Sequence, residues 1–207
     1  MIGSEEEARS YIAEGWGSAA VEDCARLIEA LRRENERQNL VSRGSLDHVW
    51  VRHIADSAQL LHHAPAACRS WVDIGSGAGL PGLVIGLLRR DLALTLVELR
   101  RLRVAWLEAM RDALKLNCRI EMAKAEALPP ARHDVISARA VAELTTLLRI
   151  TENMGDRNSR WLFAKGRNAG VEVQAVPPKL AQRYMFHVKH SLTAADGNII
   201  VCERSGD

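Results

Sequence analysis

Trp71-Val-Asp-Ile-Gly-Ser-Gly-Ala-Gly-Leu-Pro-Gly82 is the stretch on which the reading of the fold turns. A short apolar run enters Gly75, Gly77 and Gly79, and Pro81 with Gly82 opens a helical stretch. Glycine permits a tight turn and lets a ligand lie against bare backbone, while proline suits a first helical turn. A strand–loop–helix junction at the carboxyl edge of a parallel sheet is where nucleotide-like ligands bind. Gly77-Ala-Gly-Leu-Pro-Gly82 alone also satisfies the dinucleotide fingerprint, so the glycines by themselves do not choose a ligand.

Working outward, short apolar runs at Trp71–Ile74, Leu94–Val97, Ile120–Met122, Asp134–Ser137 and Trp161–Ala164 read as strands. Between them Leu83–Arg90, Arg101–Leu116 and Val141–Asn153 are long enough for crossover helices, which predicts a parallel sheet covered on both faces. Tyr184–His190 and Ile199–Arg204 follow without a helix between them, and Asp196-Gly197-Asn198 supplies turn chemistry, so they read as an antiparallel hairpin. Upstream of Trp71 the pattern is helical. Cys24, Leu27, Ile28 and Leu31 share one face at helical spacing, and a second helix is expected from Ser45, as N-cap, through Val49, Ile54, Ala58 and Leu61. The fold class expected is α/β: a class I methyltransferase (Rossmann-like) fold, its mostly parallel sheet ending in an antiparallel hairpin. Residues 1–68 form a helical cap and residues 69–207 the ligand-binding domain.

Three features bear on the ligand. Asp73 gives the Asp-x-Gly-x-Gly-x-Gly form typical of folds that bind S-adenosyl-L-methionine. Glu98 closes the second strand, where an acid can hold both ribose hydroxyls of either cofactor class. The terminal hairpin belongs to the methyltransferase variant of the fold. No Tyr-x-x-x-Lys pair and no G-x-x-x-x-G-K-[ST] loop occurs. The alternatives are an NAD-binding oxidoreductase, a dinucleotide-sensing regulatory protein, a methyltransferase with another substrate, or a purely structural glycine turn.

Composition sets the frame. The 207 residues are 47% hydrophobic and 26% charged, an ordinary globular mixture that excludes disorder, collagen-like repeats and a coiled-coil rod. A chain of this length buries enough surface to need no staples. Cys24, Cys68, Cys118 and Cys202 are widely spaced with no Cys/His cluster, so neither a disulfide framework nor a metal site is expected, and the compartment expected is the cytoplasm. No signal-like N-terminus and no membrane-length apolar run is seen. The net charge of +2 hides an uneven distribution: residues 160–190 hold six Lys/Arg against Glu172, a +5 strip on a −3 remainder. Such a strip can bind phosphates or be ordinary solvated surface.

Methyl transfer from a sulfonium is an in-line displacement, in which alignment can supply ~7–11 kcal/mol without covalent help. A Pro-Cys nucleophile for pyrimidine carbon is absent, and so is an Asn/Asp-Pro-Pro-Tyr motif for exocyclic amines after the fourth strand. A ring nitrogen with a free lone pair needs neither.

Asn39-Leu-Val-Ser42, Arg52-His-Ile-Ala-Asp-Ser57, Asp73 through Gly82, Ile136-Ser-Ala-Arg-Ala140 and Lys165-Gly166 together resemble the RsmG (GidB) family, bacterial 16S ribosomal RNA guanine-N7 methyltransferases. The resemblance runs from about Asn39 to the C-terminus. It implies S-adenosyl-L-methionine as donor and a guanine of 16S ribosomal RNA, free or in the small subunit, as acceptor. Apart from the resemblance, the chain is expected to be a monomer with no membrane and no metal partner. Carried over by position, Gly75, Gly77, Gly79 and Leu80 form the cofactor loop, Glu98 binds the ribose where many members have Asp, and Ala125 with Glu126 contacts the adenine. Arg139 lies beside the methyl and acceptor site. Asn39, His53, Lys165 and Arg167 are candidate substrate contacts, the last two for phosphate. Leu102-Arg103 stands where members often have Lys-Arg, and Ser137 is spaced differently from the family's serine. His53 and Asp56 share one helix face, as a hydrogen-bonded tie to the domain or as site residues.

Overall fold

The computed structural model describes residues 1–206. Its seven strands are β1 Ser70–Ile74, β2 Ala93–Val97, β3 Cys118–Glu121, β4 Val135–Arg139, β5 Arg160–Lys165, β6 Tyr184–His190 and β7 Asn198–Arg204. They form one sheet in the order β3-β2-β1-β4-β5-β7-β6. All pairings among the first five are parallel, whereas β7 runs antiparallel to both β5 and β6. The 3-2-1-4-5 core is common to doubly wound folds, but the reversed strand beside β5 departs from the all-parallel dinucleotide order. The hairpin read from the sequence is therefore what sets the variant of the fold.

The helices are α1 Glu5–Trp16, α2 Ser18–Asn35, α3 Arg43–Leu46, α4 Asp56–Ala58, α5 Gly82–Leu88, α6 Arg101–Ala113, α7 Leu144–Ile150, α8 Ala169–Gln174 and α9 Pro178–Ala181. The apolar face of α2 is the one expected, with Cys24, Leu27, Ile28 and Leu31 all buried. One core cluster joins that face to α5, α6 and the sheet through Leu83, Leu94, Trp106, Leu162 and Val201. A second lies on the other face, from Leu144, Leu147, Trp161, Phe163, Leu180 and Tyr184. The N-terminal helices thus share a continuous core with one face of the sheet.

Several expected boundaries move. The helix expected from Ser45 is broken: α3 ends at Leu46, a π-helical turn spans Trp50–Ala55, and a 3₁₀ turn, Gln59–His63, follows α4. Ser45 is no cap. Its hydroxyl donates to Ser42 O at 2.7 Å and bonds His53 Nε2 at 2.9 Å. Glu5, from a helix not foreseen, accepts the Trp50 and Val51 amides at 3.1 and 3.0 Å, which pins the π-helical turn to α1. That helix carries its own sequence signal, a capping box of Ser4 and Glu7. α7 starts three residues after Val141, because Ala140 takes a left-handed backbone (φ 55°) as the chain leaves β4. Asp134 falls outside β4 and binds the Arg69 and Ser70 amides at 2.7 and 2.8 Å instead.

Candidate functional site

The glycine loop leaves β1 with Gly75, Gly77 and Gly79 all at positive φ (65°, 54° and 87°), conformations that an L side chain resists. At Gly79 a Cβ would also come within 2.2 Å of Leu83, and at Gly75 within 2.6 Å of Val141. Gly77 differs: a Cβ there would meet no atom closer than 3.4 Å, the nearest being Arg103 Nη1. Gly82 packs α5 against the sheet, where a Cβ would sit 2.3 Å from Leu96.

Asp73 braces the loop from below. It is fully buried, accepts from Ser137 Oγ at 2.6 Å and from the Gly82 amide at 3.2 Å, and burial pushes its carboxyl up to about 6. Ser137 in turn accepts from Trp71 Nε1 at 2.9 Å, so this serine is part of the core.

Glu98 ends β2 opposite the loop. One carboxylate oxygen accepts the Gly77 amide at 3.0 Å, and the other accepts the Leu99 and Arg100 amides at 2.8 Å each. Arg103 stands 3.9 Å away. Sequence-distant Gly77 and Glu98 are thus held together, and a buried carboxylate is fixed beside the glycine backbone. Leu80 and Ala125 are buried, Ala125 in a 3₁₀ turn after β3, while its neighbour Glu126 is exposed. A positive-φ glycine cradle with an acid at the adjoining strand end suits a ligand that has a diol and a flexible charged tail, as S-adenosyl-L-methionine does.

A second half lies beyond the β4 and β5 ends. There a cavity of about 890 Å³ is lined by the cap (Leu40, Val41, Arg52, His53, Asp56), by Arg139–Glu143, by Ala164–Arg167 and by the turn between β6 and β7. This size falls in the range of small-molecule sites, ~300–1,000 Å³. The glycine loop does not line it, but Val141, which covers Gly75, does.

Arg139 projects from β4 onto the cap. Its guanidinium donates to Asp56 Oδ2 at 3.2 Å and to Arg52 O at 3.3 Å, and lies 3.4 Å from His53 Nδ1. Burial, together with the Arg139 and Arg52 charges, pushes His53 down to about 3. The imidazole is therefore neutral near pH 7, accepts at Nδ1 and donates from Nε2 to Ser45. His53 and Asp56 do share a face, and that face meets Arg139.

The phosphate candidates separate. Lys165 is only 10% exposed at its side chain, and its ammonium donates to Glu172 at 2.7 Å and Ala142 O at 2.6 Å. Arg167 is 79% exposed, with Asp196 at 3.9 Å. Of the +5 strip, Arg160 pairs with Glu203 at 2.8 Å and Arg183 with Glu152, both acids outside the strip. Asn39 is exposed beside Leu40 and Val41, whose amides are held by Asn35 Oδ1 at 2.7 and 2.9 Å. Arg52, Gln59, Ser191 and Thr193 line the cavity and were not singled out as site residues. Arg52 lay in the quoted motif, but the other three carry no local signal.

A family model described as "rRNA small subunit methyltransferase G" matches residues 20–199. The chain belongs to that family. It is 47% identical to the ribosomal RNA small subunit methyltransferase G of Erythrobacter litoralis over 97% of each chain. It is also 47% identical to the protein of that name from Novosphingobium aromaticivorans, over 88% of this chain and 80% of the relative. Among solved structures, a ribosomal protein L11 methylase from Lactobacillus delbrueckii subsp. bulgaricus superposes with a TM-score of 0.60 at 12% identity, covering 78% of this chain and 80% of that one. A chain of a fibrillarin/Nop5p complex gives 0.58 at 11% identity, over 75% and 82%. These two likenesses bear on the fold alone, and the family membership rests on the sequence matches.

Proposed function

We propose that this member of the methyltransferase G family transfers a methyl group from S-adenosyl-L-methionine to N7 of a guanine in 16S ribosomal RNA, acting as a cytoplasmic monomer on the small subunit or its RNA. One observation carries the reading: in a chain of this family, a glycine cradle closed by Glu98 abuts, through Val141, a cap-walled cavity bearing arginines. Bound in the cradle, S-adenosyl-L-methionine supplies a methyl group already activated on a sulfonium.

Gly75, Gly77, Gly79 and Leu80 present backbone to the cofactor, Glu98 accepts from its ribose, and Ala125 with Glu126 borders the adenine. Arg139 marks the border between cofactor and acceptor. The acceptor base enters the cavity past Asn39 and His53. Guanine N7 attacks with its own lone pair, so the chain needs no general base, and its task is alignment. The base becomes cationic as it is methylated, and the wall suits that change: His53 is uncharged and the Arg139 charge is met by Asp56. Arg167 and Arg52, exposed at the cavity, contact the flanking phosphates. Lys165 supports them by ordering the Ala142 and Glu172 side of the wall.

Mass-spectrometric mapping of 16S ribosomal RNA from cells with and without this gene tests the reading. One guanine is expected to lose a base methylation, and an unchanged map would sink the proposal. Calorimetry supplies the cofactor arm, with binding of S-adenosyl-L-methionine and not NAD as the expected result.

A further inference from the structure

We propose that Asp56, braced by Gln59 and Thr193, is the positioning residue of Arg139, so that the turn joining β6 to β7 sets the geometry of the acceptor side. This rests on the reading above, in which Arg139 touches cofactor or acceptor.

Among the described residues, the hydrogen bonds of the Arg139 guanidinium go to residues 52–56 of the cap, at 3.2–3.4 Å, the long end of the useful range. Bonds so long do not fix a guanidinium by themselves, and the firmness has to come from the carboxylate that they reach. Asp56 has that firmness. Its other oxygen accepts from Thr193 Oγ1 at 2.8 Å and from Gln59 Nε2 at 2.9 Å. Gln59 is anchored in turn, because its Oε1 accepts the Leu192 amide at 2.7 Å and its Nε2 reaches Ser191 Oγ at 3.1 Å. Gln59, Ser191 and Thr193 are each under 10% exposed, so water does not compete for these bonds.

The placement argues for more than a brace. Asp56, Gln59, Ser191 and Thr193 line the same cavity as Arg139, where a tie between cap and hairpin could equally have been apolar. They link three segments: the cap, the β4 end that carries Arg139, and the hairpin turn. A shift of that turn therefore reaches the guanidinium through the Thr193–Asp56 bond at 2.8 Å and the Asp56–Arg139 bond at 3.2 Å.

The experiment uses the full-length chain, radiolabelled S-adenosyl-L-methionine and small ribosomal subunits from cells lacking this gene. T193V keeps the shape of the side chain and removes the donor to Asp56. Its kcat is expected to fall about tenfold with KM for the methyl donor within about twofold, since small misplacements at a reacting centre act on rate more than on affinity. T193S, which restores the hydroxyl, is expected to recover kcat to within about twofold of the parent. D56N is expected to lower kcat at least as far as T193V, and it decides the matter if T193V does not fold. If the folded variants keep parental kcat and lose only melting temperature, Asp56 and Thr193 are braces and the proposal is overturned. R139K separates this from the underlying reading. A normal kcat in R139K removes Arg139 from the reacting centre, and both ideas fall. A reduced kcat in R139K beside normal T193V and D56N overturns the positioning role alone.

Discussion

The glycine-loop half and the cavity half of this site sit side by side yet are built in opposite ways. The loop half is compact in sequence: Asp73, Gly75, Gly77, Gly79 and Gly82 lie within ten residues, and Glu98 and Ser137 join them from farther along. Its geometry is dictated by backbone conformations that exclude side chains. The cavity half gathers the cap, the β4 end, the β5 end and the hairpin turn, and side-chain hydrogen bonds between residues more than 80 positions apart hold it together. Steric exclusion leaves a loop few alternatives, whereas a polar network holds only while each partner is present. The first half should fail abruptly on substitution and the second by degrees.

The largest effect should come from the loop. G79A places a methyl group 2.2 Å from Leu83 on a backbone at φ 87°, and is expected to cost about 2–4 kcal/mol in urea unfolding and to abolish cofactor binding. G166A, in the cavity wall with open space around it, is the matched control and should stay within about 0.5 kcal/mol of the parent. Equal effects from the two would erase the distinction between the halves.

E98A comes next. It removes the acceptor of three backbone amides as well as the ribose partner, so titration calorimetry should find S-adenosyl-L-methionine affinity reduced by well over tenfold, about 1.4 kcal/mol or more. Unaltered affinity would place the cofactor elsewhere.

His53 gives the cavity half a pH signature. Its value is about 3 in the folded protein against an ordinary 6.5, so between those pH values the unfolded chain takes up a proton that the native one does not. The sign follows: stability is full above pH 6.5 and falls as the pH drops below it, by at most about 1.4 kcal/mol per pH unit from this group. The difference in unfolding free energy between H53Q and the parent should be constant above pH 6.5 and shift in favour of H53Q below it. A difference independent of pH would mean that His53 is not held neutral.

The smallest effect concerns RNA. R52A and R167A should each leave cofactor affinity and melting temperature unchanged while reducing the slope of log affinity against log salt for subunit binding by about 1. K165A should do the reverse, lowering the melting temperature because Glu172 is left without its cation, with little change in the slope. If K165A and R167A prove alike, the ion pair with Glu172 does not hold in solution.

Legibility in the sequence followed the same divide. The strands, the hairpin and the glycine loop could be read because β-branched runs and glycines report local backbone demands. Tyr184–His190 was read with its observed bounds, and the α2 face was read residue by residue. The stretch after Ser45 was misread as one helix, since what shapes it is Glu5, 45 residues upstream of Trp50, and no periodicity records that. Lys165 looked like a free cation in a basic strip. Its partner Glu172 was visible in the sequence, but that the two meet was not. The counter-ions of Arg160 and Arg183 lie outside the strip altogether.

The amino-acid order by itself determined the doubly wound sheet with its reversed strand, the glycine cradle and the acid at the end of β2. Those follow from conformational preference and hydrophobic period, which act over a few residues. Only the tertiary structure decided that Arg139 faces the cap, that Asp56 answers it, and that Gln59 and Thr193 stand behind Asp56. Such contacts depend on which side chains the completed core brings within about 3 Å of one another, and burial of a polar group makes its partner obligatory without saying where in the chain that partner lies.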